Sequence, residues 1–160
     1  RSHKSFRSRK RSRSTTLSQN RQSPIIFEWD KILSFEGNTA PYLQYSYARV
    51  QSVLDKAKDL GKAATEDTCL ILKDKYERSL ANYMTIFPSS VLKAAETCKP
   101  NLIADYLYDL SKKLNSFYNN CPILNQEDDI LKSRAYLAKQ AGEVIKQGLS
   151  LLGIQTLDRM

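Results

Sequence analysis

The stretch GNTAPYLQYSYARVQSVLDKAKDLG, residues 37–61, decides the fold. Asn38 or Thr39 can cap a helix, and Pro41 in the first turn removes an N–H that has no helical partner there. Gly61 supplies a stop. At about 100° per residue the stretch separates into two stripes. Leu43, Tyr47, Val50, Leu54 and Ala57 form one, a core face. Tyr42, Tyr45, Arg49, Ser52 and Lys56 form the other, about 140° around the helix. Tyr47 is therefore expected inside. Tyr42 and Tyr45 are expected outside, beside Arg49. Two outward tyrosines flanked by a guanidinium suit the stacking of unpaired bases. The same face also suits packing against another helix or against the apolar segment PIIFEW (24–29), and the pattern alone leaves both open.

Further helical periods follow. Residues 62–67 read as a polar link, 68–87 as a helix ending at Phe87-Pro88, and 89–99 as a short helix stopped by Pro100. Residues 102–119 form an amphipathic helix that buries Leu102, Ile103, Tyr106, Leu107, Leu110, Leu114 and Phe117. Tyr118 falls on the shoulder of that stripe and Tyr108 outside it. A last helix runs from about Glu127 to Leu152 and ends at Gly153. Its EDD start (127–129) places negative charge at the positive end of the helix dipole. Its apolar stripe is Ile130, Leu137, Ala138, Ala141, Val144, Ile145 and Leu152. Gly148 lies within the stripe and predicts a close helix–helix approach. Arg134 lies within it too, and a buried guanidinium requires a carboxylate from another helix. With no βαβ alternation and no internal repeat, the expected fold is all-α, a bundle of four to five helices.

The net charge of +8 is unevenly placed. Arg1, Lys4, Arg7, Arg9, Lys10, Arg11, Arg13 and Arg21 account for eight of the 25 basic residues, with no acid among residues 1–21. That leaves 17 basic against 17 acidic residues in the remainder, a neutral body. RSHKSFRSRKRSRSTT (1–16) cannot bury enough apolar surface to offset ordering entropy, so a disordered basic tail is expected there. It reads either as a phosphate-binding arm or localisation signal, or as a mere flank. The chain opens on Arg1, without an apolar leader, and looks like a piece of something longer. Cys69, Cys98 and Cys121 are odd in number and form no CxxC, which argues for a reducing compartment. The sole histidine, His3, lies in the tail. No usable set of zinc ligands, glycine-rich phosphate loop or Ser/His/Asp set emerges.

Four blocks then carry a family resemblance: LSQNRQS (17–23), FEWDKILSFEGNTAPYLQYSYARVQSVL (27–54), YLYDLSKKLNSFYNNCPIL (106–124) and LLGIQTLDRM (151–160). Together they resemble the C-terminal anticodon-binding domain of arginyl-tRNA synthetases, class I enzymes. The resemblance covers roughly residues 17–160, and the GNTAPYLQY block and terminal Arg-Met are its most specific parts. It implies a helical domain at 38–160 that grips the anticodon loop of an arginine-accepting tRNA. It also implies a strap at 17–37 leading out of a catalytic domain. By matched position it implies loop contacts from Tyr42, Tyr45, Tyr118 and Met160. Arg49 is a further candidate, toward a phosphate. The family's HIGH-type and KMSKS-type motifs are absent from these residues. The chain alone is thus expected neither to activate arginine nor to charge tRNA, and to hold no cofactor: ATP and arginine belong to the catalytic domain. Residues 1–16 fall outside the resemblance, and Leu157 stands where many relatives have proline. The expected partners are tRNA and that catalytic domain, with no membrane, in a monomer of the cytoplasm or an organelle. The alternative is a helical interaction module whose basic tail binds RNA without specificity.

Overall fold

The computed structural model describes residues 40–156. The tail, the strap, the proposed cap at Asn38 or Thr39, Leu157 and Met160 lie outside these residues. Among the described residues there are five α-helices: α1 (Ala40–Asp59), α2 (Lys75–Met84), α3 (Phe87–Glu96), α4 (Asn101–Asn120) and α5 (Asp128–Leu151). The expected all-α bundle is what forms. Helix α4 packs against all four others, and α1 also lies along α5. None of these helices is long and apolar enough to cross a membrane.

The core follows from the stripes. Leu43, Tyr47, Val50 and Ala57 of α1 are buried, as are Tyr106, Leu107, Leu110, Leu114 and Phe117 of α4 and Leu137, Ala138, Ala141 and Ile145 of α5. Each fully buried leucine contributes about 1.5–3 kcal/mol. Where α1 meets two neighbours its buried face widens, taking in Val53 and the polar Gln44 and Ser46, while Leu54 is only half-buried. On α5, Leu131, Ala135 and Leu149 are buried, and Ile130 and Val144 only half so. Gly148 meets Leu107: a Cβ there would lie 2.6 Å from Leu107 Cδ2. Gly61 and Gly153 take φ of 71° and 67°, the left-handed turns that end α1 and α5.

One expected helix starts late. Residues 68–74 are not helical, and α2 begins only at Lys75. The Asp74 side chain accepts from the Tyr76 N–H at 2.8 Å, and Glu77 Oε2 accepts from the Asp74 N–H at 2.8 Å. This capping box fixes the start. The preceding apolar run lies beside α5 instead, where Ile71 N–H donates to Ser133 Oγ at 2.7 Å. Helix α2 also stops at Met84, short of the Phe87-Pro88 boundary. Helix α3 begins at Phe87 with proline in its first turn and ends at Glu96, so Pro100 precedes α4 rather than stopping α3.

Glu77 and Arg134 tie α2 to α5. Arg134 Nε donates to Glu77 Oε1 at 2.6 Å, with side chains 13% and 1% exposed, and Nη1 donates to the Pro122 carbonyl at 2.6 Å. This is the carboxylate that burial of Arg134 required. Cys121 is buried close by; burial, aided by the Asp74 carboxylate, pushes its thiol up to about 11. It remains protonated at neutral pH.

Candidate nucleic-acid interface

Helix α1 brings Tyr45 and Arg49 to one surface, one turn apart. Tyr45 is 52% exposed, the one aromatic ring among the large apolar side chains exposed in the described residues. Tyr118, on the shoulder of α4, faces them. Tyr45, Arg49, Ser52, Lys56 and Tyr118 line an open groove of about 460 Å³, whose floor includes Ala48 and Val53. Asp55 and Lys56 sit at its end with opposite charges. Tyr118 and Val53 also line a second hollow of about 260 Å³ with Pro122, Ile123 and Leu124. Tyr118 thus stands as a wall between two recesses.

Arg49 is held in place from α4. Its Nη1 donates to Asn115 Oδ1 at 3.2 Å and its Nη2 to Asn119 Oδ1 at 3.3 Å. The guanidinium carbon lies 3.7 Å from the centre of the Tyr118 ring. One face of Tyr118 is therefore covered by a cation. No carboxylate among the described residues lies within ion-pair distance of Arg49.

Tyr42 departs from the expected outward position. It is half-buried against the core, and its ring meets Tyr108 edge-on at 5.6 Å and 60°. Its hydroxyl accepts from Asn115 Nδ2 at 2.8 Å. The reason is the neighbouring helix. The periodicity of α1 places Tyr42 away from that helix's own apolar stripe but does not register the aromatic on α4 beside it. Tyr108, expected outside, is for the same reason half-buried. The ring of Tyr42 is thus no open plate. Its hydroxyl hydrogen, not used toward Asn115, is the group it can offer a ligand. Lys112 lies 4.3 Å from the Tyr108 ring centre; its hydrogen bond to Asp109 at 2.8 Å raises its pKa.

The structure therefore brings Tyr45, Arg49 and Tyr118 onto one groove and joins Tyr42 to them through Asn115. Met160 lies outside the described residues, but the C-terminal segment approaches α1: Gln44 Nε2 donates to the Gln155 carbonyl at 2.6 Å. Asn115 and Asn119 escape a reading based on apolar stripes. Their signal is spacing: they lie four apart, and Asn115 is three residues before Tyr118, so all three share one side of α4. Chemically the groove can stack planar groups and donate hydrogen bonds to anions or base edges. Among the described residues no group of acidic, histidine or cysteine side chains could hold a metal ion.

Comparison with known proteins identifies the family of the chain. The family of DALR anticodon binding domains matches residues 43–160. The arginine–tRNA ligase of Fusobacterium nucleatum is 66% identical over 144 residues, which cover 90% of this chain and 25% of that protein. The Haemophilus influenzae arginine–tRNA ligase is 44% identical over 145 residues, again 90% and 25%. Among solved structures, the Thermus thermophilus arginyl-tRNA synthetase superposes with a TM-score of 0.83 at 32% identity, covering 94% of this chain and 26% of that one. The Plasmodium falciparum arginyl-tRNA synthetase gives 0.82 at 28% identity, with the same coverage. The chain spans about a quarter of the length of the relatives it matches.

Proposed function

The chain belongs to the DALR anticodon-binding domains of the arginyl-tRNA synthetase family, and we propose that its groove receives the anticodon loop of an arginine-accepting tRNA. The observation that carries this reading is the exposed ring of Tyr45 on one groove with the Tyr118 wall and an Arg49 that meets no carboxylate among the described residues. Loop bases unstack and lodge on Tyr45 and against the uncovered side of Tyr118. The Tyr42 hydroxyl donates to a base edge or phosphate, and Arg49 meets the backbone. Met160 closes over a base with its polarisable thioether. The Gln44–Gln155 hydrogen bond favours this, because it moors the chain's last described residues one position from Tyr45. In a whole enzyme, this grip would hold the tRNA so that its far end reaches a catalytic domain carrying the ATP and arginine sites. Those sites, the ligation itself and the partnership with that domain are part of the proposal.

The test is a titration of the 160-residue chain against two RNA stem-loops, one with an arginine anticodon and one with the anticodon replaced. The matched loop should bind more tightly. Tyr45→Ala should weaken the matched complex roughly 5- to 150-fold, the equivalent of one lost stacking contact of ~1–3 kcal/mol. The replaced-anticodon complex should lose far less. Equal losses for both would sink base readout at this groove.

The charge segregation of the sequence favours one other reading: a helical module whose RNA affinity resides in the basic residues 1–16. Under that reading Tyr45→Ala leaves both complexes unchanged.

A further inference from the structure

Arg49 is gripped by three neutral groups. Two amide oxygens, from Asn115 and Asn119, take one N–H each, at 3.2 and 3.3 Å, and the Tyr118 ring lies under the guanidinium at 3.7 Å. Protein arginines that must be fixed usually find a carboxylate, as Arg134 does with Glu77 at 2.6 Å. A carboxylate fixes the side chain and cancels its charge. An amide fixes it and leaves the charge whole.

The orientation of Asn115 is determined by its partners. A guanidinium only donates, so Oδ1 must face Arg49. Nδ2 is thereby turned to Tyr42, to whose hydroxyl oxygen it donates at 2.8 Å. That hydroxyl, already accepting, keeps its own hydrogen for a ligand. One amide thus sets the donor direction of two residues on the groove side of α1. An aspartate would fit the same space and would bond both partners at least as strongly. It would neutralise Arg49 and draw the Tyr42 hydrogen inward. On stability alone, aspartate is the better residue here.

We infer that Asn115, supported by Asn119, is a positioning residue that presents Arg49 as a rigid, uncancelled cation for one phosphate of the bound RNA, and holds the Tyr42 hydroxyl as an outward donor. The inference rests on the anticodon-loop reading above. The single-stranded backbone is the ligand chemistry that uses a fixed guanidinium beside stacking rings. Asp55 and Lys56 at the groove's end offset one another and leave Arg49 to set the local sign.

The experiment compares Asn115→Asp, Asn119→Asp and Arg49→Ala with the unaltered chain, measuring affinity for the matched stem-loop across a salt series and thermal midpoints without RNA. Residues 1–21 contribute equally to every variant, so differences in salt slope report the groove. Asn115→Asp should melt at or above the unaltered midpoint and still bind about tenfold more weakly at low salt. Its slope of log affinity against log salt should fall by about 0.7, the value for one phosphate on a single strand, matching Arg49→Ala. Asn119→Asp, on an exposed position that cannot endanger folding, should shift in the same sense. If both aspartate variants keep the unaltered affinity and slope while the matched loop is still preferred, the positioning role is wrong and the anticodon reading survives. If the unaltered chain prefers neither loop, that reading falls and takes the positioning role with it.

Discussion

Arg49 and Arg134 both lay a guanidinium against the bundle, with opposite electrostatic outcomes. Arg134 is enclosed, 13% exposed, and its charge is met by a Glu77 carboxylate that is 1% exposed. Removing one partner of such a pair leaves a buried charge unmatched, at a cost of about 3–5 kcal/mol. Glu77→Gln keeps the shape but deletes the charge, and its single amide oxygen can accept from only one of the Asp74 N–H and Arg134 Nε. Urea denaturation should therefore show a loss of about 3 kcal/mol or more. Arg49→Ala removes two hydrogen bonds to neutral amides and the stack on Tyr118, but it leaves no buried charge unmatched and water replaces part of what is lost, so its loss should stay at about 1–2 kcal/mol. A Glu77→Gln variant as stable as the unaltered chain would mean that the pair contributes nothing. The requirement for a carboxylate near Arg134 was readable from its place in an apolar stripe. Its identity was not, because Glu77 comes from a helix 57 residues earlier and only the fold sets them side by side.

Helices in this bundle are positioned by their ends and by where backbones approach. The start of α2 was legible in principle: Asp74 and Glu77 have capping-box spacing, but the apolar run CLILK before them extends a helical-looking pattern backwards. Residues 68–74 are spent on α5 instead, with Ile71 bonded to Ser133 in both directions. Periodicity within one segment cannot foresee a demand made by a helix 62 residues away. Gly148 was legible, since a glycine inside the apolar stripe of a long helix sacrifices both propensity and buried area, a loss that a close backbone approach makes up. An added Cβ at 148 would lie 2.6, 2.9 and 3.0 Å from Leu107 side-chain atoms, and Leu107 is fully buried in the most connected helix. Gly148→Ala should therefore destabilise by about 1–3 kcal/mol despite its better helix propensity. Gly142 is the control. Its Cβ would lie 3.1 Å from Val50 Cγ1, with Val50 Cβ and Tyr47 Cδ2 at ordinary contact distances of 3.6 and 3.9 Å, a mild overlap that the ~0.8–1.0 kcal/mol gain in propensity offsets. Denaturant midpoints should therefore separate the two alanine variants clearly, with Gly142→Ala close to the unaltered chain. Similar midpoints would mean that the α4–α5 approach has room to relax.

Over the whole molecule the distribution of charge separates two ways of binding RNA. Seven basic residues fall within 1–16, whereas beyond residue 21 basic and acidic side chains balance at 17 each. A neutral body exerts little long-range pull on a polyanion, so under the proposed reading discrimination rests on contact: rings, one fixed cation and the Tyr42 hydroxyl. This is why the groove could be suspected from Tyr45 and Arg49 in the sequence, yet its working geometry could not. The Arg49–Tyr118 stack and the Asn115 bridge each join α1 to α4 across 66 or more residues. Any RNA affinity carried by the cations of residues 1–16 would arise differently, through counterion release that every RNA offers alike. Deleting residues 1–16 should therefore weaken matched and replaced-anticodon stem-loops by the same factor at low salt. The salt slope should fall by up to about 0.7 for each lost phosphate contact, while the ratio of the two affinities stays unchanged. If that deletion abolishes all RNA binding, the groove contributes none of it and the chain is a helical module with a cationic tail. If the ratio persists while the slope drops, affinity and specificity reside in separate parts of the chain, and the neutral bundle is the part that reads sequence.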